Sequence, residues 1–332
     1  MSEYILNPHY AADDVTREPI RAGFGRGLKA AGEQDARIVA LCADLTDSTQ
    51  MSKFAEAFPE RYVEVGVAEQ NLVTVASGMA RAGKIPFTSS YAAFSPGRNW
   101  EQIRTTICLN DQPVKIVGSH AGISVGPDGA THQMLEDIAL MRVLPNMVVI
   151  APGDSIEAEK ATLALAQNGK PTYLRLAREK TPIFSTEHSP FEIGKAYVLR
   201  QGHDVTLIGT GTMTYHLLML ARLLEADGVS AEVIHAPTIK PLDEQTILES
   251  VRKTGRVVTA EEAQAAAGLG GAVAELVSEH MPAPIKRIGM QDRFGESGAP
   301  DELMEHFNLT APTMHADVLA FVRRVPAYKP GY

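Results

Sequence analysis

The sequence predicts an α/β fold: two doubly wound, mainly parallel-sheet domains in succession. Three observations carry this. Short apolar, β-branched runs alternate with segments of helical period along nearly the whole chain, the pattern of a parallel sheet covered on both faces. A polar, proline-flanked stretch at 181–190, TPIFSTEHSP, interrupts the alternation, which restarts beyond it. A glycine-rich loop with two histidines leaves a strand end at 118–137, where open α/β sheets place their ligands. The expected division is an arm over residues 1–13, a first domain over 14–182, a linker over 183–194 and a second domain over 195–332.

Taken in order, the first dozen residues show no period and read as an arm. Residues 16–31 carry Ile20, Phe24, Leu28 and Ala31 at helical spacing, with Thr16 as N-cap. RIVALC at 37–42 is a strand, followed by the polar turn ADLTDST at 43–49. A short helix over 53–58 ends at Pro59. Val63, Glu64 and Val65 form a strand, and residues 69–82 a helix with Leu72, Val73, Ala76, Met79 and Ala80 on its buried stripe. Gly83 is its stop. Glu69 thus stands at a helix start, where many glutamates only complement the helix dipole. PFTSSYAAF at 86–94 supplies aromatics at 87, 91 and 94 that pattern alone assigns to a core, and a helix over 100–109 follows.

PVKIV at 113–117 is a strand, and residues 133–144 suit a helix packed on a sheet. Between them lies GSHAGISVGPDGATHQMLED, which sets His120, Asp128 and His132 among Gly118, Gly122, Gly126 and Gly129. Glycines let a backbone pass close to a ligand or take positive φ, and imidazoles titrate near neutral pH. A solvated loop explains one histidine; the constellation predicts a site. Strands follow at 147–151 and 172–176, the latter presenting Arg178, with a helix capped by Asp154 between them. In the second domain strands are expected at 205–209, 231–236, 256–260 and 285–288. Helices are expected at 214–226, 243–253, 270–280 and 313–323. Gly209-Thr210-Gly211 lacks the third glycine of a dinucleotide loop and reads as a tight turn. There is no Walker loop, GxSxG or HExxH.

A net charge of -9 without a basic block argues against nucleic acid and against an acidic membrane surface. Cys42 and Cys108 sit in apolar runs outside any CxxC, as buried thiols of a reducing compartment do. No run is long and apolar enough to span a bilayer, and the start lacks a signal peptide's pattern. The expectation is a soluble cytoplasmic protein.

On VGVAEQ at 65–70, SHAGISVGPDGATH at 119–132 and LEDIA at 135–139 running to LPN at 144–146, the chain resembles the C-terminal half of a transketolase. That half is a thiamine-diphosphate pyrimidine-binding domain followed by the transketolase C-terminal domain. The likeness covers nearly everything from about Arg17. Such enzymes move a two-carbon ketol unit from a ketose phosphate to an aldose phosphate, with pentose phosphates the default sugars. The family's GDG-type motif, which holds the diphosphate and its Mg2+ or Ca2+, is missing. The resemblance is therefore to the second subunit of a split transketolase, self-dimerising and active only with an N-terminal partner in an α2β2 assembly. It implies no metal ligands on this chain.

The resemblance also implies roles. Glu69 matches the glutamate that hydrogen-bonds the cofactor's aminopyrimidine, Phe94 the aromatic stacked on that ring, and Tyr91 an aromatic of the same pocket. Asp44 matches an acidic residue near the thiazolium. His120, Asp128 and His132 match contacts to the sugar's oxygens, the imidazoles shuttling hydroxyl protons. Arg17, Ser48 and Arg178 match a phosphate clamp, suited by charge and fork geometry. Two positions depart from the family: Gly97 stands where a third aromatic is usual, and Gly25 where single-chain members keep a second glutamate linking their active sites. Three alternatives remain: a deoxyxylulose-phosphate-synthase half, which carries an arginine at the place of His120; a 2-oxo acid dehydrogenase β subunit, which lacks the 119–132 loop; and a regulatory or structural partner without catalysis.

Overall fold

The computed structural model describes residues 4–329. The first half contains β1 (Arg17–Pro19), α1 (Ile20–Gln34), β2 (Ile38–Cys42), α2 (Ser52–Ala57), β3 (Tyr62–Glu64), α3 (Glu69–Arg81) and β4 (Ile85–Tyr91). It continues with α4 (Trp100–Gln102), β5 (Lys115–Ser119), α5 (Asp137–Arg142), β6 (Val148–Ile150), α6 (Ser155–Gln167), β7 (Thr172–Arg175) and β8 (Lys180–Pro182). The second half holds β9 (Tyr197–Arg200), β10 (Val205–Gly209), α7 (Met213–Ala226), β11 (Ala231–His235), β12 (Thr238–Lys240) and α8 (Glu244–Thr254). It ends with β13 (Val257–Gln264), α9 (Leu269–His280), β14 (Ile285–Met290), α10 (Pro300–His306) and α11 (Ala311–Arg324).

Two mainly parallel sheets result, as the alternation predicts. The first runs β12-β6-β7-β5-β4-β2-β3 and the second β14-β13-β10-β11-β9. Every residue of β2, β5 and β10 is buried, so these strands show no in-and-out alternation; β2 is apolar throughout, whereas β5 buries Lys115 and Ser119 and β10 buries Thr206. Among the described residues, no helix is long and apolar enough to cross a membrane. Both thiols are buried and free.

The structure corrects several expectations. Thr16 caps nothing: the helix starts at Ile20, with Pro19 at its N-cap and no side-chain cap bond. Residues 17–19 instead pair antiparallel with β8, Arg17 opposite Pro182. A proline at 19 disfavours helix in the residue before it and presets the first turn after it. The helix expected over 133–144 shrinks to Asp137–Arg142, because Met134 bridges to Ala121 and the Gln133 side chain is spent inside the loop. The helix at 100–109 is real, but its Ile103–Cys108 part is π-helical. Missed altogether were β4, the antiparallel edge strand β9, α10, and β12. The last leaves its own half and pairs antiparallel with β6, Thr238 opposite Ile150.

Where the halves meet, a buried ion pair is central. Asp137 Oδ2 accepts hydrogen bonds from Tyr173 Oη at 2.7 Å and Arg175 Nε at 2.9 Å. Arg175 Nη2 donates to the carbonyl of Glu262 at 2.7 Å. The arginine side chain is 5% exposed and the aspartate 0%. An Asp137→Ala variant leaves that guanidinium buried without its counter-charge, so it is expected to lose roughly 3–5 kcal/mol in urea unfolding.

Candidate active site

Glu69 is the first residue of α3 and 3% exposed. The turn before it is shaped by Glu64, whose Oε1 accepts the backbone N–H of Gly66 and of Asp44, each at 2.8 Å. Asp44 itself is exposed, at φ 60° beyond the end of β2. The Glu69 carboxylate has one ion-pair contact among the described residues, Arg98 Nη1 at 3.5 Å, and that arginine is largely exposed. Asn99, buried, donates from Nδ2 to the Glu69 carbonyl at 2.8 Å and to Ser95 Oγ at 3.2 Å. The start of α3 is thereby tied to the turn that carries Phe94.

The parallel register sets Tyr91 beside Ser119, so the residue after Ser119 arrives against the tyrosine ring. Tyr91 and His120 stack at 3.8 Å between centroids and 25°. Phe94 lies near-parallel to Tyr91 at 6.0 Å, and His132 meets Tyr91 and Phe94 edge-on at 6.3 and 5.4 Å. Pattern alone assigned all three aromatics to a core. Only Phe87 is fully buried; Tyr91 and Phe94 are half-buried and join the two histidines. His120 adopts φ 57°, a left-handed conformation uncommon outside glycine and a mark of functional sites.

Burial first, then the nearby Arg21, Arg178 and His132, push the His120 pKa down to about 3. Its imidazole is neutral at pH 7, one nitrogen donating and the other accepting; Nδ1 lies 2.9 Å from Ser119 Oγ. In the unfolded chain the same group titrates near roughly 6.5. The unfolded state therefore binds more protons across this window, and stability contributed at His120 falls as pH drops from roughly 6.5 toward 3. A His120→Gln variant is expected to lose that part of the slope in a series of urea melts across the window.

The structure does not bring Arg17, Ser48 and Arg178, the three residues the resemblance assigns to a phosphate clamp, together as a set. Ser48 is half-buried, and its carbonyl accepts from Arg21 Nη1 at 2.5 Å. Arg21 Nε donates to the carbonyl of Arg178 at 3.3 Å, and Arg178 Nη1 donates to the carbonyl of Val125. Arg17 is exposed and lines a separate cleft of about 250 Å³ between the halves, with Lys180, Tyr215 and His216. The guanidinium that joins Ser48 to Arg178 is thus that of Arg21, which sequence reasoning passed over. Placing the helix start at Thr16 hid which of two arginines four residues apart would turn inward. Asp128 stands exposed on the outer turn of the loop, its carbonyl accepting from Thr131 Oγ1 at 3.5 Å. Among the described residues its carboxylate has no hydrogen bond. The two departures have a steric reason: a Cβ at Gly97 would sit 2.0 Å from the Ala93 carbonyl oxygen, and one at Gly25 2.7 Å from that of Gln50.

The transketolase pyrimidine-binding domain matches residues 19–183, and the transketolase C-terminal domain residues 194–314. A putative transketolase C-terminal section from Methanocaldococcus jannaschii is 42% identical over 308 residues, covering 92% of this chain and 96% of that protein. The chain belongs to the transketolase family. A 6-deoxy-6-sulfo-D-fructose transketolase subunit from a Clostridium species is 43% identical over 279 residues, 84% of this chain and 87% of its own. Among solved structures, a split gene transketolase described as an inactive beta4 tetramer superposes with a TM-score of 0.86 at 44% identity. That match covers 92% of this chain and 98% of the other.

Transketolases use thiamine diphosphate, and the chemistry of this site fits the aminopyrimidine end of it. A flat heteroaromatic ring needs flat apolar faces, which Tyr91 and Phe94 leave half-exposed, and a partner for its ring nitrogen. The Glu69 carboxylate is buried, with an exposed arginine to oppose it, and its backbone is tied through Asn99 to Ser95, next to Phe94. Among the described residues, no group of three His, Cys, Asp or Glu is placed to hold a metal ion.

Proposed function

We propose that this chain is the catalytic second half of a split transketolase, moving a two-carbon ketol unit from a ketose phosphate to an aldose phosphate. The carrying observation is the tie, through Asn99 and Ser95, between buried Glu69 and the ring cluster of Tyr91, Phe94, His120 and His132. When bound, thiamine diphosphate supplies the electron sink for breaking and forming the carbon–carbon bond. Glu69 shares a proton with the ring nitrogen of the aminopyrimidine, and Phe94 and Tyr91 orient that ring by stacking. His120, neutral, and His132 hold and move hydroxyl protons of the sugar, while Asp128 selects a hydroxyl that must donate. Asp44 would be the acidic residue near the thiazolium. Ser48 and Arg178, with Arg17 or the inward-turned Arg21, take the anionic end of the sugar.

An N-terminal partner subunit carries the diphosphate and its Mg2+ or Ca2+, in an α2β2 assembly. The Clostridium relative's substrate bears a sulfonate, and a guanidinium pair accepts a sulfonate or a phosphate alike. The test is a donor panel: the assembled complex with thiamine diphosphate is offered phosphorylated, sulfonated and uncharged ketoses. Ketol transfer from an anionic ketose, and far less from the uncharged one, is expected. Cofactor binding without transfer from any ketose would overturn the reading in favour of a non-catalytic subunit.

A further inference from the structure

The loop that carries the two histidines is held from the second half of the molecule. Ile123 and Leu135, at its two ends, belong to the apolar core built around Leu207, Met213 and Leu217. Glu262 of β13, 2% exposed, reaches across: its Oε1 accepts the backbone N–H of Ser124 at 2.7 Å, and its Oε2 the Thr212 hydroxyl at 2.8 Å. The approach is so close that a Cβ at Gly122, itself at φ 90°, would lie 2.3 Å from Glu262 Oε1. Gln133 clips the loop from the other side. Its Nε2 donates to the carbonyls of Ile123 at 3.1 Å and Gly126 at 3.4 Å, and to that of Glu296 in the second half at 2.8 Å.

We propose that Glu262 and Gln133 are positioning residues, through which the C-terminal domain fixes the backbone of the substrate loop and so aims His120 and His132. Among the described residues neither side chain is hydrogen-bonded to a ring of the cluster, and both bond backbone groups between the histidines. The inference rests on reading that loop as the sugar site. It gives the C-terminal domain a task in sugar recognition that leaves the cofactor pocket of Glu69, Tyr91 and Phe94 alone.

The test uses the full chain and the assembled complex. Glu262→Ala removes both bonds, whereas Glu262→Gln keeps an oxygen for Ser124 N–H and an amide to pair with the Thr212 hydroxyl. Amide exchange over residues 121–133 of the chain itself is expected to rise roughly tenfold or more in the alanine variant, the scale of a lost buried hydrogen bond. In the assembly the KM for a ketose phosphate rises similarly while thiamine diphosphate affinity stays unchanged, and glutamine restores both readings. Unchanged loop exchange, or a parallel fall in cofactor affinity and melting temperature, overturns the proposal. Gln133→Ala tests the same loop independently if the Glu262 variant does not fold. Should the wild-type assembly transfer no ketol unit, the functional reading falls, and the exchange measurement alone decides the anchoring.

Discussion

Replacing Glu69 by glutamine in the assembled complex is expected to lower kcat for ketol transfer by roughly 10²–10⁴-fold, the usual worth of one positioned proton-transferring group. The substitution is isosteric and keeps Asn99 bonded to the Glu69 carbonyl, because that contact uses the backbone. Folding and subunit assembly should therefore persist, and the melting temperature is the control. What changes is the proton at one buried side-chain oxygen. A common helix-start glutamate that only complements the helix dipole would contribute about 0.3–1 kcal/mol to stability and nothing to turnover. The size of the kcat loss at constant melting temperature separates the two. Wild-type turnover in the variant would remove Glu69 from the chemistry altogether.

Purified without a partner, the chain is expected to show no ketol transfer at any thiamine diphosphate concentration. Added diphosphate-binding subunit should restore activity until it saturates at equal amounts of the two. The reasoning is one of charge. Glu69, the ring cluster and the histidines can address a pyrimidine and a sugar, but a diphosphate needs further cations or metal, because the guanidiniums of Arg21 and Arg178 are the ones proposed for the sugar's anionic end. Light scattering on the purified chain, paired with the transfer assay before and after partner addition, gives the answer. Full activity in the lone chain would end the split-enzyme reading.

Much of this was readable from the sequence. The alternation of apolar strands with amphipathic helices gave both sheets, because strands covered on both faces show themselves as unbroken apolar runs. The His120–His132 loop stood out as a candidate because polar groups and glycines clustered where a strand ended, whereas Glu69 drew its expected role from the family resemblance alone. What escaped had its partner far along the chain. The strand β12 has three residues and no period of its own. Arg21 was concealed by a helix N-cap misplaced by three residues, Thr16 for Pro19. Glu262 fell just beyond the strand expected at 256–260, and its contact lies at Ser124, 138 positions away. Local pattern records which face an element buries, not what waits on the other side.

The strand β12 has a practical consequence for anyone who would cut this protein smaller. It closes one edge of the first sheet with residues that come after the second half has begun. A fragment ending in the 183–194 segment would leave β6 with a bare row of amide and carbonyl groups, an open template for strands of neighbouring molecules. Soluble expression of the pyrimidine-binding half alone would require a borrowed β12 or a charged residue set into β6. The two halves are separate as sheets, yet a cut between 183 and 194 does not part them cleanly, because the first sheet takes its edge from the second half.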